Sequence, residues 1–163
     1  VSEGLTPAAS LPEASRRVIA AGEALGVSVV VYEFPQGTKT SLEAADAVGC
    51  PLGAITKSLV FVVDDSAVVA MLPGDRRLDV TKLAAVHGGA VARRASLDEV
   101  RVATGFVAGG TPPFGHQLPI YADNSLREHE ARWAAAGTPN TVFPISVDDL
   151  IEATSATWVD LSE

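Results

Sequence analysis

The stretch Ala54-Ile55-Thr56-Lys57-Ser58-Leu59-Val60-Phe61-Val62-Val63 is followed by Asp64-Asp65-Ser66 and then by Ala67-Val68-Val69-Ala70-Met71-Leu72. Two runs rich in apolar strand formers on either side of a polar turn read as a β-hairpin. One residue breaks the pattern. Lys57 stands at the mouth of the first run, and of the three lysines, Lys39, Lys57 and Lys82, it alone continues into five consecutive apolar strand formers, Leu59 to Val63. Lysine is almost never buried without a reason. Either Lys57 lays its stem along the apolar surface and keeps its ammonium in water, or it is placed there for chemistry.

Outward from the hairpin, short helices and strands alternate irregularly. Toward the N terminus, Thr40-x-x-Glu43 is a capping box opening a helix through Val48, closed by Gly49. Val27 to Phe34 reads as a strand ended by Pro35 and Gly37, and Ser10-x-x-Glu13 opens a helix that Gly26 stops after Leu25. Residues 1–10 read as a flexible arm preceding one domain over residues 11–163. Toward the C terminus, Pro73-Gly74-Asp75 breaks the hairpin pattern, Asp79 caps a helix through Val86, and Ala90 to Ala92 reads as a short strand. Ser96-x-x-Glu99 starts a helix to about Ala103, Ile120 to Ala122 is a strand, and Ser125-x-x-Glu128 starts a helix through Trp133. Thr141 to Ile145 is a strand, Ser146-x-x-Asp149 opens a last helix to about Ala153, and Thr157 to Val159 closes the series. A hairpin within such irregular alternation predicts an α/β domain of the α+β type, with a mixed sheet rather than a doubly wound parallel one.

At 163 residues and 47% apolar composition the chain supports one substantial core. Its longest apolar runs fall far short of the roughly 18 residues of a membrane helix. With no leader pattern after Val1, a soluble cytoplasmic protein is expected, with no membrane partner. A net charge of −8 argues against wrapping DNA or any long nucleic acid, while allowing contact with one end of a chain. Arginine doublets at Arg16-Arg17, Arg76-Arg77 and Arg93-Arg94 either converge on a phosphate-bearing ligand or stay scattered and solvated. The single cysteine, Cys50, excludes an intrachain disulfide and a multi-cysteine metal cluster, and its place at a helix end reads as structural.

The familiar catalytic signatures are missing. His129-Glu130 continues as Ala131-Arg132-Trp133, so there is no H-E-x-x-H, and His87, His116 and His129 lie far apart. There is no nucleophile elbow, P-loop or dinucleotide fingerprint. No metal and no cofactor are expected. What stands out instead is Thr104 to His116, T-G-F-V-A-G-G-T-P-P-F-G-H, with three glycines and two prolines between Gly109 and Gly115. Such a loop either holds a carbonyl or anion with main-chain donors or serves as a rigid crossover.

The order of these elements resembles the YbaK/EbsC (prolyl-tRNA synthetase-associated) family of free-standing aminoacyl-tRNA deacylases. The resemblance runs through Ile55-Thr56-Lys57-Ser58-Leu59-Val60, Gly74-Asp75-Arg76-Arg77-Leu78-Asp79, Thr104-Gly105-Phe106, Gly109-Gly110-Thr111-Pro112-Pro113-Phe114-Gly115 and Ser146-x-x-Asp149-Leu150. It implies a compact α/β domain with a mixed, partly barrel-like sheet flanked by short helices and a pocket beside the lysine. It also implies hydrolysis of the ester between a wrongly attached small amino acid, such as alanine or cysteine, and the terminal ribose of tRNA, above all tRNA for proline. Lys57 takes the position of the family's required lysine, and Gly109, Gly110, Thr111, Pro113, Phe114, Gly115 and His116 fall on its substrate-holding loop. The implied partners are the acceptor end of a mischarged tRNA and, as a candidate, prolyl-tRNA synthetase. Lys57 would orient the terminal nucleotide, lower the cost of developing charge, or, with a depressed pKa, act as a base. His116 is either a substrate contact or a loop anchor. The alternative function is a non-catalytic module that binds an aminoacyl or nucleotide ligand or a synthetase. Expected from all this is one cleft shared by Lys57 and the glycine loop.

Overall fold

In the computed structural model, Thr6–Pro7 and residues 10–34 and 38–163 are described. The hairpin forms as read: β3 (Ile55–Val63) pairs antiparallel with β4 (Ser66–Pro73), from Thr56 opposite Pro73 to Val63 opposite Ser66. Every other strand is arranged around it. β4 pairs in parallel with β6 (Ile120–Asp123), which pairs in parallel with β9 (Thr157–Val159). On the other side β3 pairs in parallel with β7 (Ala131–Ala135), which leads through β8 (Thr141–Ser146) and β2 (Tyr32–Glu33) to β1 (Thr6–Pro7). The sheet is therefore mixed, and its two end strands, β1 and β9, do not pair with each other.

Strand alternation divides the hairpin between two cores. Val60, Val62, Val69 and Met71 face one side, under α1 (Glu13–Ala24), α4 (Leu97–Thr104) and α5 (Val147–Thr154), where they meet Val18, Val100 and Leu150. Phe61, Val63, Val68, Ala70 and Leu72 face the other, against Leu83 of α3 (Val80–Val86) and Leu161. Both faces of the hairpin are covered, which is why it is nearly continuous in apolar residues. Lys57 shares the face of Leu59 and Phe61 by alternation, at the end where the second core runs out.

The edge of β3 opposite β4 is forked. β7 reaches it only at Ile55 and Thr56, and β5 (Ala92–Arg94) only at Phe61 to Val63. Between these partners Lys57, Ser58 and Leu59 have no strand neighbour on that side. The Ala95 N–H donates to Val60 O from the β5 side, so alternation turns the main-chain groups of Ser58 toward the same open edge.

Several local expectations are corrected. The Ser10 capping box does not form: α1 starts at Glu13 behind Pro12, with no side-chain cap. Pro12 is extended and disfavours helix at Leu11 before it. The strand expected over Val27 to Phe34 is a ladder only at Tyr32–Glu33, although Val27, Val29 and Val31 are buried in alternation. Its expected stop at Pro35 and Gly37 lies outside the described residues, as does most of the N-terminal arm, of which Thr6–Pro7 pairs with β2. The largest correction falls on Ser125 to Trp133. Asp123, not Ser125, caps a 3₁₀ turn over Asn124–Glu128, and the chain then becomes β7. The helix-favouring composition of that segment is overridden by tertiary context: β7 pairs with β8 and with the start of β3, and Arg132 is buried. The boxes at Thr40 and Ser96 form in full, opening α2 (Ser41–Val48) and α4.

Candidate active site

The fork in β3 opens onto a cavity of about 310 Å³. Its floor is the open β3 edge, Lys57 to Leu59; Gly109 and Thr111 line it, as do Trp133 of β7, Pro139 and Thr141, and Thr40, Ser41 and Ala44 at the start of α2. Alongside lies a second cavity of about 260 Å³ that shares Ser58, Leu59, Arg94, Gly109 and Thr111 with the first and adds Val60, Ala95 and Val100. The Ser58 hydroxyl is buried on this shared wall without a hydrogen-bond partner among the described residues.

Lys57 is half-buried, and its Nζ donates to Arg76 O at 2.9 Å. Burial lowers its pKa from the ordinary lysine value; the charges of Arg94 and Arg77 push the same way, and Asp75 opposes them. Arg76 is itself held by Glu128 at 3.1 Å. Directly behind the lysine sits Arg132, only 1% exposed. Its Nε donates to Thr56 Oγ1 at 2.7 Å, its Nη1 to Leu126 O at 3.0 Å, and its Nη2 to Gly53 O at 2.6 Å and Ile55 O at 3.0 Å. Burial pushes the guanidinium down to about 10, with Asp75, Cys50 and Glu128 pulling the other way, so it stays charged at neutral pH. Arg132 thus fixes the backbone that delivers Lys57.

The glycine loop divides. Gly109, at φ +81°, and Thr111 line the cavity. Among the described residues neither of their main-chain N–H groups donates to a protein acceptor. The Gly110 N–H, by contrast, is spent on Val107 O at 3.0 Å, and its carbonyl accepts from the Gly137 N–H at 3.0 Å. Gly110 is there for closeness: an added Cβ would lie 2.7–2.8 Å from the backbone of Thr138. Pro113, Phe114, Gly115 and His116 turn away from the cavity lining. Phe114 is buried in the first core, 5.7 Å from the Phe143 ring, and Gly115 lies against Ala21 and Phe106. His116 Nδ1 accepts from the Leu118 N–H at 3.3 Å, its Nε2 is buried without a hydrogen-bond partner among the described residues, and burial lowers the imidazole pKa.

The structure therefore brings Lys57, Gly109 and Thr111 to one cavity, and leaves Gly110 behind the wall and the Pro113-to-His116 segment in the scaffold. Sequence reasoning missed Ser58, Arg94, Arg132, Trp133 and Thr141. Arg94 carried a signal as half of a noted doublet; Arg132 was hidden by a segment that reads as helix.

Because Gly110 and Thr138 touch backbone to backbone, Gly110→Ala pries apart the wall that carries Gly109 and Thr111 from the one that carries Pro139 and Thr141. The expected outcome is a loss of about 1–3 kcal/mol in stability by thermal unfolding. Below the unfolding temperature, the folded variant should still show at least about a tenfold fall in kcat/KM, as expected when reacting groups are misplaced by an ångström.

Residues 35–153 match the family model described as the aminoacyl-tRNA editing domain. The chain belongs to the aminoacyl-tRNA editing domain family. Within it, the chain is 33% identical over 135 residues to the uncharacterized protein YwhH of Bacillus subtilis, covering 80% of this chain and 85% of YwhH. It is 27% identical over 136 residues to a protein of Enterococcus faecalis named "Putative Cys-tRNA(Pro)/Cys-tRNA(Cys) deacylase EbsC", covering 80% and 83%. A solved structure described as a "putative trans-editing enzyme for prolyl tRNA synthetase" superposes with a TM-score of 0.89 at 43% identity, covering 94% of this chain and 99% of that one. The mixed α/β editing-domain fold is thus that of the relatives. No helix among the described residues is long and apolar enough to cross a membrane.

Proposed function

We propose that this editing domain is a hydrolase that removes a small amino acid from the 3′ end of a mischarged tRNA, with tRNA for proline as the leading substrate and Lys57, Gly109 and Thr111 as its working residues. The observation that carries this reading is the shared cavity: one half-buried lysine and the main chain of a glycine turn line the same space of about 310 Å³. The names of the Enterococcus faecalis relative and of the superposed structure point to the same reaction.

The chemistry needs little machinery. Water adds to the ester carbonyl, negative charge develops on the carbonyl oxygen, and the bond to the ribose oxygen breaks as that oxygen takes up a proton. The Gly109 and Thr111 amides supply donors for the developing charge, and the ammonium of Lys57 adds a full positive charge held in place by Arg76 O. In this reading Lys57 acts as a donor, since its ammonium keeps two hydrogens beyond the one given to Arg76 O. The neighbouring ribose hydroxyl of the substrate orients the water. The amino acid removed is read as a small one, as the name of the Enterococcus faecalis relative suggests, and the cytoplasm, where charged tRNA is used, is the expected compartment.

The direct test is hydrolysis of a panel of mischarged tRNAs, including alanyl- and cysteinyl-tRNA for proline, with correctly charged prolyl-tRNA as control. Release of a small amino acid with prolyl-tRNA spared is the expected outcome. Binding without turnover of any member would decide for a non-catalytic module.

A further inference from the structure

Among the described residues, the cavity at the forked β3 edge is lined by Lys39, Lys57 and Arg94 and by no carboxylate, in a chain with 20 acidic residues against 12 lysines and arginines. Such a local excess of positive charge within an acidic protein selects an anion. The amino acid of an aminoacyl ester does not supply one, since its free α-amino group is a cation. The anions of an aminoacyl-ended RNA are its phosphodiesters.

The cations are not equivalent. Lys57 is half-buried and already bonded to Arg76 O. Arg93 is clamped by Glu99 through two bonds of 2.8 Å. Strand alternation turns Arg94 to the opposite face, where it is the cross-strand partner of Phe61, with its guanidinium carbon 5.9 Å from that ring. Arg94 is exposed, lies on the wall common to both cavities, and pairs with no carboxylate among the described residues. A guanidinium presents a planar fork of donors that matches two oxygens of one phosphate. The other doublets do not join it: Arg17 is tied to Glu13 on α1, and Arg76 to Glu128.

We propose that Arg94 is a substrate-positioning residue that grips a phosphodiester of the terminal nucleotides, with Lys39 as a second cation, leaving Lys57 to the reacting ester. This rests on the deacylase reading for the identity of the RNA. The grip fixes the terminal ribose over the Lys57-to-Leu59 edge before chemistry begins.

The test compares wild type with Arg94→Gln and Arg94→Lys on two unacylated probes. One is the trinucleotide cytidylyl-cytidylyl-adenosine, with which tRNA ends and which carries phosphodiesters; the other is adenosine, which carries none. Binding is read by titration calorimetry and by the fluorescence of Trp133, which lines the cavity. Arg94→Gln should weaken the trinucleotide about tenfold or more and leave adenosine unchanged, with Arg94→Lys in between. The slope of log affinity against log salt should shrink by about 0.7, the single-strand value for one lost phosphate contact. In hydrolysis, KM for aminoacyl-tRNA should rise about tenfold, and KM for aminoacyl-adenosine, which has no phosphodiester to grip, should rise far less. Equal losses on both probes, no loss on the trinucleotide, or a wild type that does not bind it would overturn the proposal. A wild type that binds the trinucleotide through Arg94 but cleaves no ester would leave the grip standing and remove the deacylase reading instead.

Discussion

Lys57→Met is expected to lower kcat for deacylation by about 10²–10³-fold, the usual cost of losing one donor to a developing oxyanion. The methionine keeps most of the apolar stem and removes the charge, and the side chain is only half-buried, so thermal unfolding should stay close to wild type. In fact, the folded protein disfavours the Lys57 charge, since burial and the charge of Arg94 lower its pKa. The sign of the pH dependence follows. With the ammonium as the working form, kcat is highest below the folded pKa and falls as pH rises through it, so the alkaline limb lies below the ordinary lysine range. For stability the sign is opposite: the penalty for charging Lys57 is fully present below the folded pKa and is relieved above it. Wild-type and Lys57→Met profiles, corrected for hydroxide-driven ester cleavage, check this directly. An alkaline limb that survives in the variant, or undiminished hydrolysis, would take Lys57 out of the mechanism. Lys57→Arg should not rescue, because a guanidinium needs more room and different geometry than an ammonium.

Arg132→Met should damage the fold severely, by about 3–5 kcal/mol, through the several buried acceptors it leaves without a donor. Replacing a buried ion pair by apolar groups is often harmless, since both charges leave together. Here the partners are Gly53 O, Ile55 O, Leu126 O and the Thr56 hydroxyl, and three of the four are main chain that no substitution removes. Truncating the cation strands buried acceptors, each costing about 1–3 kcal/mol before relaxation or water entry. A fall of about 10 °C or more in Tm is expected for a domain of this size. Arg132→Lys should fall between, because an ammonium has three donors and lacks the planar fork. If the variant folds at all, its kcat should drop further than its stability implies, as Ile55 and Thr56 lead directly into Lys57. A Tm within a few degrees of wild type would show that these carbonyls find other partners.

These two residues also mark how far the sequence could be read. Lys57 was legible because a charge inside an apolar run conflicts with its surroundings. The hairpin, the α2 and α4 caps and the mixed sheet were legible because their signals are local: alternation, turn residues and S/T-x-x-E boxes. Arg132 was not. The segment from Ser125 to Trp133 has the composition of a helix, and only long-range pairing, with β8 from Ala131 to Ala135 and with β3 at Trp133 and Ala134, makes its end a strand. The glycine loop was half legible. Its main-chain freedom marked it, but the division between Gly109 and Thr111 at the cavity and Phe114, Gly115 and His116 in the scaffold depends on which elements pack beneath it. The same holds for Arg94, whose face of β5 follows from its register with Phe61.

The forked edge of β3 bears on how the protein acquires activity. β3 and β4 meet through a tight turn, a contact with little loop entropy to overcome. The cavity, however, exists only when β7 has docked on the start of β3, and Gly53 and Arg132 are 79 positions apart. Contacts of such long range are closed late, after loop entropy has been overcome. A chain that has made its hairpin and helices but not this junction has a lysine with no wall opposite it. Refolding experiments should therefore see catalysis appear with the slowest phase, well behind the secondary structure, and a nascent chain stays inert toward charged tRNA until β7 has emerged and docked.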